Sequence, residues 1–454
     1  MPPPPLVPQV IAAAPLPPSL SSATAATAPP IQAVAVNALG TYALVAGGRF
    51  AASVVPRASG GSGGVTLVNL ATAVAVQTFS GSGAALAAAS PAAAAATASS
   101  SSTPHALALA ADDACFAAID RGRYLQLWDV RRPDAPARRW PHGHGLGDGH
   151  ARVGPGGAPT MATATTTTTT TVMTTAMTTA GGANAVAMAG PPSVGPLIVS
   201  GGADGAVLLW DPRSAGEAPV QRLPSAPDAV TSLAVPTTAA GAAGIIVAGA
   251  LDGIVRTYDL RMGCLHADAV GAPVTGVGYG YGDACPSPGA AAEPRTPSIL
   301  ASTIASPSAP APAHPAAAAA AVAPRQAVVV QLNVATGASE AQYAGHAHST
   351  YRLASPLFLD AAPAAASAAA PWVVAPCERG HLVAWTAGDP SAVWRFRAAG
   401  SAAAGRYGLV TDWPRAWAQG GPAPVVSLAR LPGGGCLTGA SDGTLIAWRF
   451  RAAS

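Results

Sequence analysis

The chain has 454 residues, of which half are hydrophobic and only 10% charged, with a formal net charge of +3. So small a surplus gives no broad positive field, and direct nucleic-acid binding is not expected. The Ala-rich stretches are interrupted by Pro and Ser, leaving no strongly apolar run of about 18 residues to span a bilayer, so no membrane partner is expected either.

The N-terminal segment, residues 1–30, is rich in Pro and Ala. Within it only 6–13 (LVPQVIAA) has strand-like content, and Pro8 confines such a strand to a sheet edge. No Lys or Arg precedes Arg49, so neither a secretory leader nor an Arg-rich transit peptide fits, which points to cytoplasm or nucleus. An inner strand is predicted over 31–36. The glycine run SGGSGG at 59–64 lacks the Gly-Lys-Ser/Thr ending of a phosphate loop, and no Lys occurs anywhere in the chain. Strands follow in GVTLVNLATA (64–73) and RYLQLWDVRRP (123–133). Arg131, Arg132, Arg138, Arg139 and Trp140 then form a local basic cluster, which reads more readily as a solvated loop than as a site for phosphate or an acidic partner surface. HGHGLGDGH (142–150) holds three His and Asp148, but its alternating glycines make ordering around a metal costly; it is read as a connector, with no metal and no cofactor. The five cysteines are scattered and show neither a disulfide framework nor ligand spacing. Low-complexity tracts near 81–104, 154–182, 286–297, 306–324 and 361–370 bury too little apolar surface to offset their ordering, and are expected to be disordered insertions. The threonine run at 165–171 falls in one of them.

Three segments repeat one pattern: LIVSGGADGAVLLWDPR (197–213), the stretch 245–276 that begins IIVAGALDGIVRTYDLRMG, and CLTGASDGTLIAWRF (436–450). Each is an apolar run, an Asp-Gly turn and a second run ending on an aromatic residue. Asp204 precedes Trp210, Asp252 precedes Tyr258 and Asp442 precedes Trp448 by the same six residues. Asp-Gly between apolar runs is a strong hairpin signal because both residues tolerate positive φ. In that register VVVQLNVATG (328–337) places Leu332-Asn333, ERGHLVAWTAG (378–388) places Trp385-Thr386, 64–73 places Val68-Asn69 and 123–133 places Trp128-Asp129, which makes seven units.

The pattern resembles the WD-repeat family, whose units are four-stranded blades of about 40 residues. The resemblance implies an all-β fold, a seven-bladed WD40-type β-propeller over 31–451 with long low-complexity insertions. Seven blades need about 280 to 315 residues, and the remainder lies in the insertions. The last hairpin ends near the C-terminus, so residues 1–30 are expected to donate the outer strand of the last blade. In the family a buried relay pins each blade: a His before the first strand, a Ser or Thr on the second, the turn Asp and the Trp of the third. Carried over, the third blade would use Ser200, Asp204 and Trp210 with either His144 or His150. The fourth offers Asp252 and Tyr258, and the seventh Asp442 and Trp448. The sixth has His346 and Trp385 but Arg379 where the Asp should stand. An incomplete relay leaves blades joined mainly by their apolar faces.

From 245 onward the chain resembles one group more closely, the mitogen-activated protein kinase organizer scaffolds. The resemblance rests on VRTYDLRMG (255–263), VGAPVTG (270–276), ILAST (299–303), YAGHAHSTYRL (343–353) and CERGHLVAW (377–385). It implies a non-catalytic scaffold whose partners are kinase-cascade components or pre-mRNA splicing factors; a substrate-recruiting subunit of a ubiquitin ligase is the alternative. By residue type, Tyr351, Arg352, Trp413, Arg415 and Trp417 are the candidate partner contacts, and each could equally pack a loop against the ring. No Gly-x-Ser-x-Gly elbow follows a strand, so no catalytic residue is assigned.

Overall fold

The computed structural model describes residues within 6–12, 30–47, 64–79, 104–144, 182–189, 196–281, 297–305, 327–359, 371–398, 408–409 and 423–450, apart from 73, 121–123, 142–143, 237–243 and 351. Apart from boundary residues, the five low-complexity tracts lie outside this set, as do His150, Tyr351, Trp413, Arg415 and Trp417.

The described residues form strands and turns, with no helix among them. The strands make seven antiparallel sheets. After β1 (Leu6–Ala12), the first sheet comprises β2 (Ala33–Val36), β3 (Tyr42–Ala46), β4 (Val65–Asn69) and β5 (Val74–Phe79). The second is β6 (Ala106–Leu109), β7 (Cys115–Ile119), β8 (Tyr124–Asp129) and β9 (Arg138–Pro141). The third is β10 (Ala183–Ala189), β11 (Leu197–Gly202), β12 (Val207–Trp210) and β13 (Gln221–Leu223). The fourth is β14 (Val230–Ala234), β15 (Ile245–Ala250), β16 (Ile254–Asp259) and β17 (Gly263–Ala269). The fifth is β18 (Val274–Tyr281), β19 (Pro297–Thr303), β20 (Val328–Asn333) and β21 (Ser339–Ala344). The sixth is β22 (Leu357–Leu359), β23 (Trp372–Pro376), β24 (His381–Thr386) and β25 (Asp389–Arg397), with a fifth strand, β26 (Gly408–Leu409), on its outer edge.

The seventh sheet draws on both ends of the sequence. Here β27 (Val425–Leu431), β28 (Gly435–Ala440) and β29 (Leu445–Phe450) are joined by β1, which runs antiparallel to β29 with Leu6 opposite Phe450 and Val10 opposite Ile446. Pro8 stands opposite Trp448, and β1 is the outermost strand, the one position where a residue without an N–H costs no second ladder. The first strands touch in sequence around a circle, β2 to β6, β10, β14, β18, β22, β27 and back to β2, so they line a central channel and the sheets are blades of a closed propeller.

Packing follows one rule. Each of the seven apolar clusters fills the gap between two adjacent blades. In every gap the third-strand residue of the later blade faces the earlier blade: Val68, Trp128, Trp210, Tyr258, Leu332, Trp385 and Trp448. All are buried. The hairpin spacing therefore sets which side chain enters which gap. Phe396 meets Trp448 at 5.5 Å, and Trp140 meets Trp210 at 6.1 Å between ring centres. The gap between blades seven and one has only Val68 at this place.

Candidate functional site

The third blade contains a complete relay. Its turn, Asp204-Gly205, has Gly205 at φ +72°, where a side chain would be strained and would meet the Ala226 carbonyl. The Asp204 carboxylate accepts from the Ala206 amide at 3.1 Å and from His144 Nδ1 at 2.7 Å. His144 Nε2 lies 2.9 Å from Ser200 Oγ, which also accepts the Trp210 indole N–H at 2.9 Å. Burial alone would raise the Asp204 carboxyl. The His144 hydrogen bond and charge, the Ala206 amide and Arg222 outweigh it and hold the group below the usual carboxylate range. The ionised carboxylate only accepts, so His144 Nδ1 carries a proton and donates to it. Seating the ring requires Gly202, whose hypothetical Cβ would strike it. Of the two candidate histidines, His144 fills the relay position.

The other blades keep fragments. In the seventh, Trp448 donates to Thr438 Oγ1 at 2.8 Å and Asp442 accepts the Thr444 amide at 2.9 Å. In the fourth, Asp252 accepts the Ile254 amide at 3.0 Å and pairs with Arg256 at 2.6 Å, while the Tyr258 hydroxyl donates to the Pro224 carbonyl at 3.0 Å. Burial pushes the Tyr258 phenol up to about 12. The second-strand hydroxyl sits two residues beyond the partner of the third-strand aromatic: Trp210 pairs Ile198 and Trp448 pairs Cys436, giving Ser200 and Thr438. In blade six Trp385 pairs Val373, and the same step lands on Ala375. Trp385 therefore donates to the Ala344 carbonyl at 3.0 Å instead. His346 is buried with neither ring nitrogen hydrogen-bonded, and desolvation, then the neighbouring His348, lowers its pKa to about 3.

A second polar system surrounds one mouth of the channel. Asn184, Thr231 and Thr275 are each the second residue of an innermost strand, at a bulge in its pairing. The bulge turns the side chain toward the next blade. His105 Nε2 reaches the Ala183 carbonyl at 3.0 Å, Asn184 Nδ2 donates to Val230 at 2.9 Å, and Thr231 Oγ1 to Val274 at 2.7 Å. Thr275 Oγ1 donates to the Ser302 carbonyl at 3.2 Å and lies 3.3 Å from His348 Nδ1. Polar contacts thus pass from blade two to the segment entering blade six. Arg352, from that segment, crosses the mouth: its guanidinium donates to the carbonyls of Asn184 and of Thr231, the latter at 3.3 Å. Arg352 is thereby engaged within the molecule, and the other four candidate partner contacts lie outside the described residues.

The collar is a set of residues that sequence reasoning missed. Its signal is short: a polar second residue in ANAVAMA, VTSLA and VTGVGYG, at the start of three inner strands. In the basic cluster, Arg138 donates to the Pro212 and Gly216 carbonyls at 2.6 and 2.9 Å, and Arg139 lies over the Tyr124 ring at 3.4 Å. Among the described residues there is no group of three or more His, Cys, Asp or Glu placed to hold a metal, and no helix long and apolar enough to cross a membrane.

Residues 175–211, which span the innermost strand, the turn and the Trp of the third blade, match the family model described as WD domain, G-beta repeat. No curated protein matches the chain.

Proposed function

We propose that this seven-bladed WD-repeat propeller is a non-catalytic scaffold that binds other proteins through its faces and channel rim. The observation that carries the reading is the fate of the polar side chains in the complete repeat: His144, Asp204, Ser200 and Trp210 satisfy one another inside the blade. Reactive groups spent on one another leave a stiff frame, and a stiff frame presenting loops is suited to recognition. The resemblance of 255–263, 343–353 and 377–385 to the mitogen-activated protein kinase organizer scaffolds supports kinase-cascade components or splicing factors as partners, in cytoplasm or nucleus. Affinity purification of the full chain from cells, followed by mass spectrometry, tests this. Kinases or splicing factors are the expected co-purifying proteins. A cullin adaptor in their place would turn the reading to substrate recruitment for a ubiquitin ligase, and an absence of specific partners would overturn it.

A further inference from the structure

The described residues of 349–356, all but 351, form a strap that holds Arg352 in one place. At one end Glu378 accepts the Ser349 amide at 2.7 Å, the Thr350 amide at 2.5 Å and the Ser349 hydroxyl at 2.8 Å. At the other end the chain lies against β18, where Gly276, Gly278 and Gly280 alternate on one face. A Cβ on Gly276 would lie 2.9 Å from the Ser355 Cα, one on Gly278 would strike the Pro356 carbonyl, and one on Gly280 would strike the Phe358 ring. The strap is pinned on both sides, and Arg352 projects from it across the channel to blades three and four.

What receives the guanidinium is made of acceptors. The carbonyls of Asn184 and Thr231 belong to bulged residues, where the ladder between first and second strands is interrupted. Their side chains are committed elsewhere, Asn184 to Val230 and Thr231 to Gly249 and Val274, which fixes the two oxygens in place. Both contacts run from Nη2, so such a pair repels anions and favours a cation with two N–H donors on one nitrogen, the weakly hydrated guanidinium before an ammonium. Arg352 itself remains partly exposed at the mouth.

We infer that this mouth is a guanidinium-binding site, filled in cis by Arg352 and open in trans to an arginine side chain of a partner protein that displaces it. The inference deepens the scaffold reading and rests on it for the partner, but not for the site. A self-ligand lowers apparent affinity by the fraction of time the site is vacant, so the strap sets a threshold for binding.

Ethylguanidinium tests the site without any partner. Its affinity is measured by calorimetry on the full chain and on Arg352→Ala, with ethylammonium as comparator. Binding to Arg352→Ala about tenfold tighter than to the wild type is expected, with ethylammonium weaker on both. Equal affinity for the two chains would overturn the inference, as would no saturable binding to a folded Arg352→Ala. If that variant does not fold, the wild type decides. Phenylglyoxal should modify Arg352 slowly, and faster when ethylguanidinium saturates the site. An Arg352 modified at the rate of a solvated arginine, indifferent to the probe, would also refute it. Failure here leaves partner capture untouched, and failure to capture partners leaves the titration untouched.

Discussion

His346 shows what the loss of one hydroxyl does. In blade three the equivalent ring has a carboxylate and a serine; in blade six the register position of the serine holds Ala375, and no hydrogen bond reaches the ring. Its pKa is lowered to about 3 against an ordinary 6.5, so the unfolded chain binds a proton that the folded chain refuses. The contribution to stability is whole above about pH 6.5 and is lost as pH falls toward about 3, at about 1.4 kcal/mol per pH unit. His346→Leu is expected to lessen the slope seen in urea unfolding across pH 4 to 7 without abolishing it, because His381, its pKa lowered to about 4 chiefly by burial, titrates in the same window; an unchanged slope would place the proton uptake elsewhere. Ala375→Ser should return a partner to the ring and raise stability by about 1 kcal/mol at neutral pH, read from the same titrations. The opposite case is Asp204, whose lowered pKa stabilises above the ordinary carboxylate range near pH 4 and is lost as pH falls below it. Asp204→Asn should cost about 2 kcal/mol at pH 7, with the deficit shrinking toward pH 3. Asp204 and Trp210 were legible because the hairpin spacing fixes them, and Ser200 through the relay that the family resemblance implies. The histidine was not, because HGHGLGDGH offers candidates in one glycine-rich run and spacing cannot choose between them.

At the scale of the strand, the repeated hairpin spacing carried most of the information, and bulges carried what it missed. The third-strand residues were readable even where they are Val68 or Leu332, since the turn places them and the gap buries them. A bulge has no compositional signature, so the collar of Asn184, Thr231 and Thr275 was invisible until the pairing registers showed where the ladder skips. Of the glycines of VTGVGYG only Gly276 entered the sequence reading, as part of a resemblance. Their physical reason is the close approach of 355–358, which leaves no room for a Cβ. Gly278→Ala is expected to destabilise the chain by about 2 to 3 kcal/mol, because the obstructing atom is a backbone carbonyl that cannot rotate away. Gly263→Ala is the control: its surroundings are open, so only its positive φ is paid for, at about 1 kcal/mol. Equal losses in the two variants, by thermal unfolding, would remove close approach as the explanation.

For the whole molecule the question is how a ring with one complete relay stays shut. Each gap is filled by apolar side chains, so the blades add nearest-neighbour terms around the circle, and the circle is only as strong as its poorest gap. Between blades seven and one the third-strand position holds Val68, smaller than the Leu332 of the gap between blades four and five and the Trp or Tyr of the other five, and blade seven itself is finished by β1 from the far end of the sequence. Closure there is a long-range event whose loop entropy must be met before the gap repays it. The register gives a way to relieve that cost. Phe450 lies opposite Leu6, so the end of β29 and the start of β1 are adjacent antiparallel neighbours. A permuted chain that joins them through a two-residue Asn-Gly turn, with new termini within 13–29, converts the closing strand into a local hairpin. The permutant should keep the fold and unfold at a higher denaturant concentration than the parent, while deletion of residues 1–12 from the parent should lower the midpoint and expose β29 as an edge. A permutant less stable than the parent would mean that β1 does not close the ring by the pairing seen here, and that the seventh gap is held by its side chains alone.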